Sequence, residues 1–281
     1  MSRSFIRWVG GKGNLMPQLK QFVPDNYSFY VEPFLGGGSM FFSLQPTDAV
    51  LSDINEELIN LYIVLRNNVE ELIEDLKRHK NTEEYYYECR GQDREAGFWR
   101  KSNIERASRT LYLNKTCFNG LYRVNSDGYF NVPFGFRTNP KIVDDNTLRE
   151  CSKLLSNCRI HSSSYDDILE TYVSEGSFIY LDPPYAPVNE TSFTSYTKED
   201  FGEEDHYKLK EYCDRINLSG AFFMQSNSYT PFILELYSEY TINTIYAPRF
   251  INSVGSGRGK VVEVVITNYE VEPAVKDFWE I

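Results

Sequence analysis

Short apolar runs bounded by glycine, proline and polar residues alternate along the chain with stretches whose apolar residues recur every three or four positions. Runs of the first kind predict strands at Ser28–Glu32, Ala49–Asp53, Arg159–His161, Phe178–Leu181, Ala221–Gln225, Thr241–Tyr246 and Val261–Thr267. The second kind predicts a helix starting at Ser39–Leu44 and a long amphipathic stretch over Glu56–Lys80, carried by Leu58, Ile59, Tyr62, Leu65, Leu72, Ile73 and Leu76. From Thr82 to Asn119 the chain is rich in Tyr and Arg and reads as helical, interrupted near Gly91 and Gly97. Asp127-Gly128 between β-compatible residues predicts a hairpin over Asn125–Pro133. Strands alternating with helices at both ends, and a helix-and-hairpin block between them, predict one α/β domain with an insertion.

With 281 residues, 41% of them hydrophobic, the chain has enough apolar mass for one large core, or one core and an inserted subdomain. No apolar run approaches the ~18–20 residues that span a bilayer, so no membrane partner is expected. The segment Met1–Arg7 has basic residues but no apolar core, and no signal peptide is read there. Five cysteines, at 89, 117, 151, 158 and 213, are odd in number and form no CxxC pair. That argues against a disulfide framework and a zinc site, and suits a reducing cytoplasm. His79, His161 and His206 are scattered and expected at the surface or its boundary, so a metal hydrolase lacks its usual ligands.

The net charge of −11 argues against nucleic acid only if it is spread evenly. It is not: Lys77–Lys141 holds 13 Lys/Arg against 7 Asp/Glu, a local charge of +6 that leaves −17 on the rest. Because charges more than about 10 Å apart are largely screened at 0.1 M salt, a basic region on an acidic body still holds phosphates. Helix faces laced with mixed charge account equally for part of that stretch.

Chemistry concentrates at Asp182-Pro183-Pro184-Tyr185, directly after the apolar run Phe178–Leu181. This puts a carboxylate, rigid imino acids and an aromatic ring at the C-terminal mouth of a buried strand, where open α/β sheets bind ligands. A carboxylate, a proline-fixed carbonyl and a π-face suit an exocyclic amine on a flat ring; a strand-ending turn is the plainer alternative. Phe34-Leu35-Gly36-Gly37-Gly38 after the first strand lets backbone approach a ligand closely, without being the GxGxxG fingerprint. Asp53, at the end of the second strand, is placed to grip ribose hydroxyls. It is also, with Asn55, a candidate N-cap for the helix starting near Glu56.

Read together, Arg7-Trp8-Val9-Gly10-Gly11-Lys12, Glu32-Pro33-Phe34-Leu35-Gly36-Gly37-Gly38, Ser52-Asp53-Ile54-Asn55, Phe118-Asn119-Gly120-Leu121-Tyr122-Arg123, Phe130-Asn131-Val132-Pro133-Phe134-Gly135, Asp182-Pro183-Pro184-Tyr185 and Gln225-Ser226-Asn227 resemble, in order, the Dam/DpnII-type (α-group, D12 class) N6-adenine-specific DNA methyltransferases. The resemblance spans roughly Arg7 to Tyr269. It implies a Rossmann-like α/β methyltransferase with a mixed sheet, made of residues 1–54 and 145–270. A helical and β-hairpin target-recognition insertion would occupy 55–144, and a C-terminal tail 271–281.

The implied activity is methyl transfer from S-adenosyl-L-methionine to adenine N6 in double-stranded DNA, at GATC, with the base flipped from the duplex. Asp182, Pro183, Pro184 and Tyr185 would be catalytic, Asp182 and the Pro183 carbonyl accepting the N6–H bonds while Tyr185 stacks on the base. Trp8, Lys12, Phe34, Gly36, Gly38, Asp53, Asp182 and Tyr165 would border the cofactor; the string around Tyr165 departs from the family's. Arg123 would donate a bidentate pair to guanine. Asn119, Leu121 and Pro133 match positions beside the target bases, and Arg7 a basic position near the first guanine. Arg90, Lys115, Asn125 and Asn131 would contact phosphates; Arg90 and Lys115 also read as solvated helix charges and Asn125 as a turn residue. Phe136-Arg137 departs from the family's usual Arg-Tyr.

The loop Ala186–Thr197 would cover the flipped base, and Ser253–Lys260 reads as a flexible hairpin or a phosphate track. A monomer suffices, no metal is needed, and a cognate restriction endonuclease would be a genetic companion. Rival readings are an adenine methyltransferase for another DNA or RNA target, and a DNA-binding module without catalysis. A nicotinamide oxidoreductase is disfavoured by the missing fingerprint.

Overall fold

The computed structural model describes residues 4–188, 201–247 and 261–271. Along them run α1 (Met16–Leu19), β1 (Tyr30–Glu32), α2 (Ser39–Leu44), β2 (Ala49–Asp53), α3 (Glu56–Asn67), α4 (Val69–Leu76), α5 (Glu83–Gly91), α6 (Asn103–Thr116), α7 (Asp145–Leu155), β3 (Cys158–Ser162), α8 (Tyr165–Tyr172), β4 (Phe178–Leu181), α9 (Glu203–Leu218), β5 (Phe222–Ser228), α10 (Pro231–Leu236), β6 (Thr241–Ala247) and β7 (Val261–Thr267). The class is mixed α/β, with seven strands in parallel and antiparallel pairs among the described residues. Every predicted strand forms, but β1 starts at Tyr30 and β5 runs on to Ser228.

Two compact units divide the chain. The first contains residues 4–11 and 35–165. In it β2 pairs parallel with β3, from Ala49↔Cys158 to Asp53↔Ser162. The Ser52 hydroxyl reaches the carbonyls of His161 and Ser163, both at 3.0 Å, which ties the ends of these strands together.

The stretch predicted as one amphipathic run over 56–80 is two helices, α3 and α4. Asn68, at φ −138° and ψ 42°, leaves helical geometry between them. Asn55 caps α3 by accepting from the Leu58 N–H at 2.9 Å, and Ser102 with Glu105 forms a capping box on α6. These helices bury Leu58, Leu61, Leu65, Leu72 and Leu111 completely, each worth about 1.5–3 kcal/mol relative to exposure.

In place of a laddered hairpin, 124–134 forms isolated bridges, Val124 to Phe130 and Cys117 to Phe134. The Asn125 side chain explains the tight turn: its Oδ1 accepts from the N–H groups of Asp127 and Tyr129.

The second unit contains residues 12–34, 166–188, 201–247 and 261–271. Its strand order is β1-β4-β5-β7-β6. The first three are parallel, while β7 runs antiparallel between β5 and β6. All four β4 residues are buried, which fits a strand with parallel neighbours on both sides. Toward its end β5 turns polar while both faces stay buried: Gln225, Ser226 and Asn227 are fully inaccessible.

One expectation changes. His206 is a core residue at 1% exposure, wedged against Phe201 and Phe232. Burial pushes its pKa down to about 4. All five cysteines are buried and free. Among the described residues, no helix is long and apolar enough to cross a membrane. The cover expected at Ala186–Thr197 lies outside the described residues beyond Val188, as do Ser253–Lys260 and the tail beyond Val271.

Candidate active site

In the second unit, Asp182-Pro183-Pro184-Tyr185 follows the buried end of β4. Asp182 keeps one fifth of its side-chain surface exposed, and its Oδ1 lies 2.8 Å from the Nζ of Lys12. Lys12 is itself only 7% exposed, so its charge is buried with a partner. It begins the turn into α1, where its carbonyl accepts from the N–H groups of Leu15 and Met16.

The same ammonium stands 4.7 Å from the centroid of the Tyr185 ring. The phenol of Tyr185 donates to Oε2 of Glu263, on β7, at 2.8 Å. Burial raises the pKa of Asp182 and Lys12 opposes it. Glu263 is raised by burial and by Asp182, against Lys12 and the Tyr185 hydrogen bond. The ammonium is thus paired with Asp182 and acts on Glu263 only through space.

The backbone after Tyr185 is held as firmly. The Ala186 N–H donates to Oδ1 of Asn227 at 3.1 Å, and the Ala186 carbonyl accepts from the Ser228 hydroxyl at 2.6 Å. This is why β5 buries Asn227 and Ser228, which satisfy the chain that leaves the tetrapeptide, while Ser226 meets the Tyr180 hydroxyl and Gln225 the Cys213 thiol. Pro183 is buried and Pro184 exposed. Phe34 is half-buried and meets Phe201 edge-on, with ring centroids 6.2 Å apart.

In the first unit, the glycines after β1 turn sharply. Gly36 and Gly38 have φ of 46° and 63°, values an L side chain rarely adopts. A Cβ on Gly36 would lie 2.8 Å from the Trp8 ring. Asp53 spans this turn, its Oδ2 accepting from the Gly36 N–H and its Oδ1 from the Asn55 N–H, both at 2.9 Å. Asn55 therefore caps α3 and Asp53 braces the loop. Its carboxylate, raised in pKa by burial, keeps lone pairs for further donors. A flat ring, close backbone and an acceptor carboxylate fit a nucleoside. Tyr165 opens α8, shortly after β3.

The predicted DNA residues also lie in this unit, and several converge. Asn114, 2% exposed, accepts from the Arg7 N–H at 3.1 Å and donates to the carbonyls of Arg7 at 2.7 Å and Gly120 at 3.1 Å. It thereby joins the N-terminal segment to the turn holding Asn119 and Leu121. Asn119 takes a left-handed φ of 55°. The Phe118 N–H donates to the Pro133 carbonyl at 2.9 Å, tying that turn to the returning arm. Arg7, Phe118, Asn119, Arg123, Pro133 and Phe136 are exposed. Oδ1 of Asn131 accepts from Nε of Arg123 at 2.7 Å and steadies its arm. Next to Arg123, Tyr122 stacks on Trp8, centroids 4.7 Å apart.

Arg90 and Lys115 are occupied differently. Arg90 donates to the carbonyls of Asn131 and Val132 and lies over Tyr87, bracing the hairpin from behind. Lys115 donates to the Phe5 carbonyl at 2.6 Å, and burial lowers its pKa. Asn125 serves its own turn.

Sequence reasoning missed Glu263, Ser228 and Asn114, and gave Asn227 a place in a matching string but no role. An acid inside Val-Val-Glu-Val-Val and a polar triplet within a strand were the available signals.

Residues 8–249 match the family described as D12 class N6 adenine-specific DNA methyltransferase. The chain is 43% identical over 272 residues to the type II methyltransferase M1.LlaDCHI of Lactococcus lactis subsp. cremoris, covering 95% of each. It is 39% identical to the type II methyltransferase M.MjaIII of Methanocaldococcus jannaschii, covering 95% of this chain and 99% of that one. Identity to the DNA adenine methylase of Escherichia coli (strain K12) is 31%, over 94% of both. With a tetrapeptide at the mouth of β4, a nucleoside-fitting loop and a match over most of its length, this chain belongs to the D12 class of N6 adenine-specific DNA methyltransferases.

Proposed function

We propose that the chain methylates the N6 of adenine within GATC in double-stranded DNA, using S-adenosyl-L-methionine, after the base has left the duplex. The observation that carries the reading is the Asp182 and Tyr185 pair: a partly exposed carboxylate and a ring pinned at its hydroxyl. GATC is the target that the resemblance of Phe118–Arg123 and Phe130–Gly135 implies, and relatives named DNA adenine methylase align over 94% of the chain.

Trp8, Gly36, Gly38 and Asp53 are the residues of the first unit that would hold the nucleoside of the donor, with Tyr165 of the same unit beside it. S-adenosyl-L-methionine, when bound, supplies an electrophilic sulfonium methyl. The amino nitrogen of adenine is a weak nucleophile because its lone pair is delocalised into the ring. Asp182 and the Pro183 carbonyl accept its two N–H bonds, which favours a pyramidal nitrogen with the lone pair free for in-line attack. Tyr185 stacks on the base, whose N6 is unreachable inside the helix. Arg123 reads guanine, Arg7, Asn119, Leu121 and Pro133 line the target, and Asn131 orients Arg123. Arg90 and Lys115 reach phosphate only by leaving the carbonyls they hold. Residues 55–144 supply this reading head, and 1–54 with 145–270 the catalytic part. The enzyme acts as a cytoplasmic monomer, and a companion endonuclease cleaving the unmethylated site suits its type II relatives.

The test is transfer of tritiated methyl to two duplexes that differ only in GATC against GTAC. Incorporation on GATC alone supports target and chemistry together. Equal incorporation on both removes GATC and leaves adenine methylation.

A further inference from the structure

From the contacts of Glu263 we infer that it is a positioning residue for Tyr185, setting the ring against which the target adenine stacks. The inference rests on the base-stacking role proposed above for Tyr185 and goes beyond it by assigning what orients that ring.

Three independent attachments converge on Tyr185. Its phenol donates to Oε2 of Glu263 at 2.8 Å. Lys12 stands over the ring at 4.7 Å. The next residue, Ala186, is fastened at N–H and carbonyl by Asn227 and Ser228. The backbone clamp fixes where the side chain starts but leaves the ring free to rotate. The cation over the ring is a soft contact, worth about 0.5–2 kcal/mol. Among the described residues, only the bond to Glu263 restrains the far end of the ring. Because its acceptor is a carboxylate, that bond is of the stronger, charge-assisted kind.

Glu263 is itself well anchored. It sits in the middle strand of three, opposite Ser228 on β5 and Ile245 on β6. Ser228 is the residue whose hydroxyl holds the Ala186 carbonyl. One rung of the ladder therefore supports both ends of the Tyr185 arrangement, its backbone through Ser228 and its ring tip through Glu263. An acid within Val-Val-Glu-Val-Val contributes no apolar burial, and the phenol gives it a specific task.

The experiment compares wild type, Glu263→Ala, Glu263→Gln, Tyr185→Phe, Tyr185→Ala and the Glu263→Ala/Tyr185→Phe double variant. Methyl transfer to a GATC duplex is measured alongside the emission of a duplex with 2-aminopurine at the target position. Glu263→Ala and Tyr185→Phe should each lower kcat about tenfold, with KM for DNA within about twofold. The double variant should fall by about the same tenfold, because both changes delete one bond. Glu263→Gln, which keeps an acceptor, should recover most of the rate. Bound 2-aminopurine should be brighter in Glu263→Ala than in wild type, since a turning ring quenches less. Losses that multiply to about a hundredfold, or a Glu263→Ala enzyme like wild type beside an impaired Tyr185→Ala, overturn the role of Glu263 alone. A Tyr185→Ala enzyme at full rate overturns the stacking role and this inference with it.

Discussion

The ammonium of Lys12 is held 2.8 Å from Oδ1 of Asp182 while standing over the ring of Tyr185. One buried cation therefore governs the charge of the carboxylate and borders the aromatic wall. Burial favours the protonated carboxyl, and Lys12 opposes that. The proposed chemistry needs the carboxylate as acceptor, so acidification should silence the enzyme as Asp182 takes up its proton. Without Lys12 the proton is held to higher pH. Lys12→Met should therefore move the acid limb of kcat/KM to higher pH, so that the loss is larger at low pH than at high pH. A pH–rate profile records this, and an unshifted acid limb would contradict it.

Arg123 is the exposed cation whose arm is steadied by Asn131. Arg123→Ala should lower kcat/KM on the cognate duplex about ten- to a hundredfold, the range for one lost bidentate base contact. A duplex with the contacted guanine replaced should lose little more. Asn131→Ala should show a smaller loss of the same kind. Steady-state kinetics on both duplexes measure it, and equal losses on both would make Arg123 a phosphate contact.

Asn114 joins Arg7 to Gly120 through three hydrogen bonds in a buried position. Asn114→Ala strands backbone groups at both ends and should cost about 1–3 kcal/mol of stability. Urea unfolding reads this directly, and an unchanged midpoint would show that the two segments hold together without it.

His79 and His206 are both neutral in the folded protein, pushed down to about 4 by burial. The folded state thus resists a proton that the unfolded chain accepts near pH 6.5. Their contribution is whole above about pH 6.5 and is lost as pH falls toward about 4. Acidification across that window should lower the thermal midpoint of wild type more than that of His206→Phe. A constant gap between them would contradict the assignment for His206.

The strands, the tetrapeptide and the glycine loop were legible because each has a local cause. Phe178–Leu181 is a short apolar run with parallel neighbours on both sides, and glycine suits the positive φ and the crowded surroundings of Gly36 and Gly38. What stayed hidden depends on partners distant in the chain. Periodicity ran 56–80 together because the break at Asn68 is one residue wide. It stopped β5 at Gln225 because polar Ser226–Ser228 read as a strand end, when two of them bind Ala186, over 40 residues earlier. Arg90 and Lys115 looked like free cations because a sequence does not show the carbonyls they hold. The ion pair between Lys12 and Asp182 joins residues 170 apart, and only folding brings them together.

The most direct test identifies the methylated base itself. A GATC duplex is incubated with S-adenosyl-L-methionine and either wild type or Asp182→Ala, then digested to nucleosides and analysed by mass spectrometry. N6-methyladenine from wild type, absent with an Asp182→Ala enzyme that still binds the cofactor, is the predicted result. The same product from Asp182→Ala, or methylcytosine from wild type, would contradict the account.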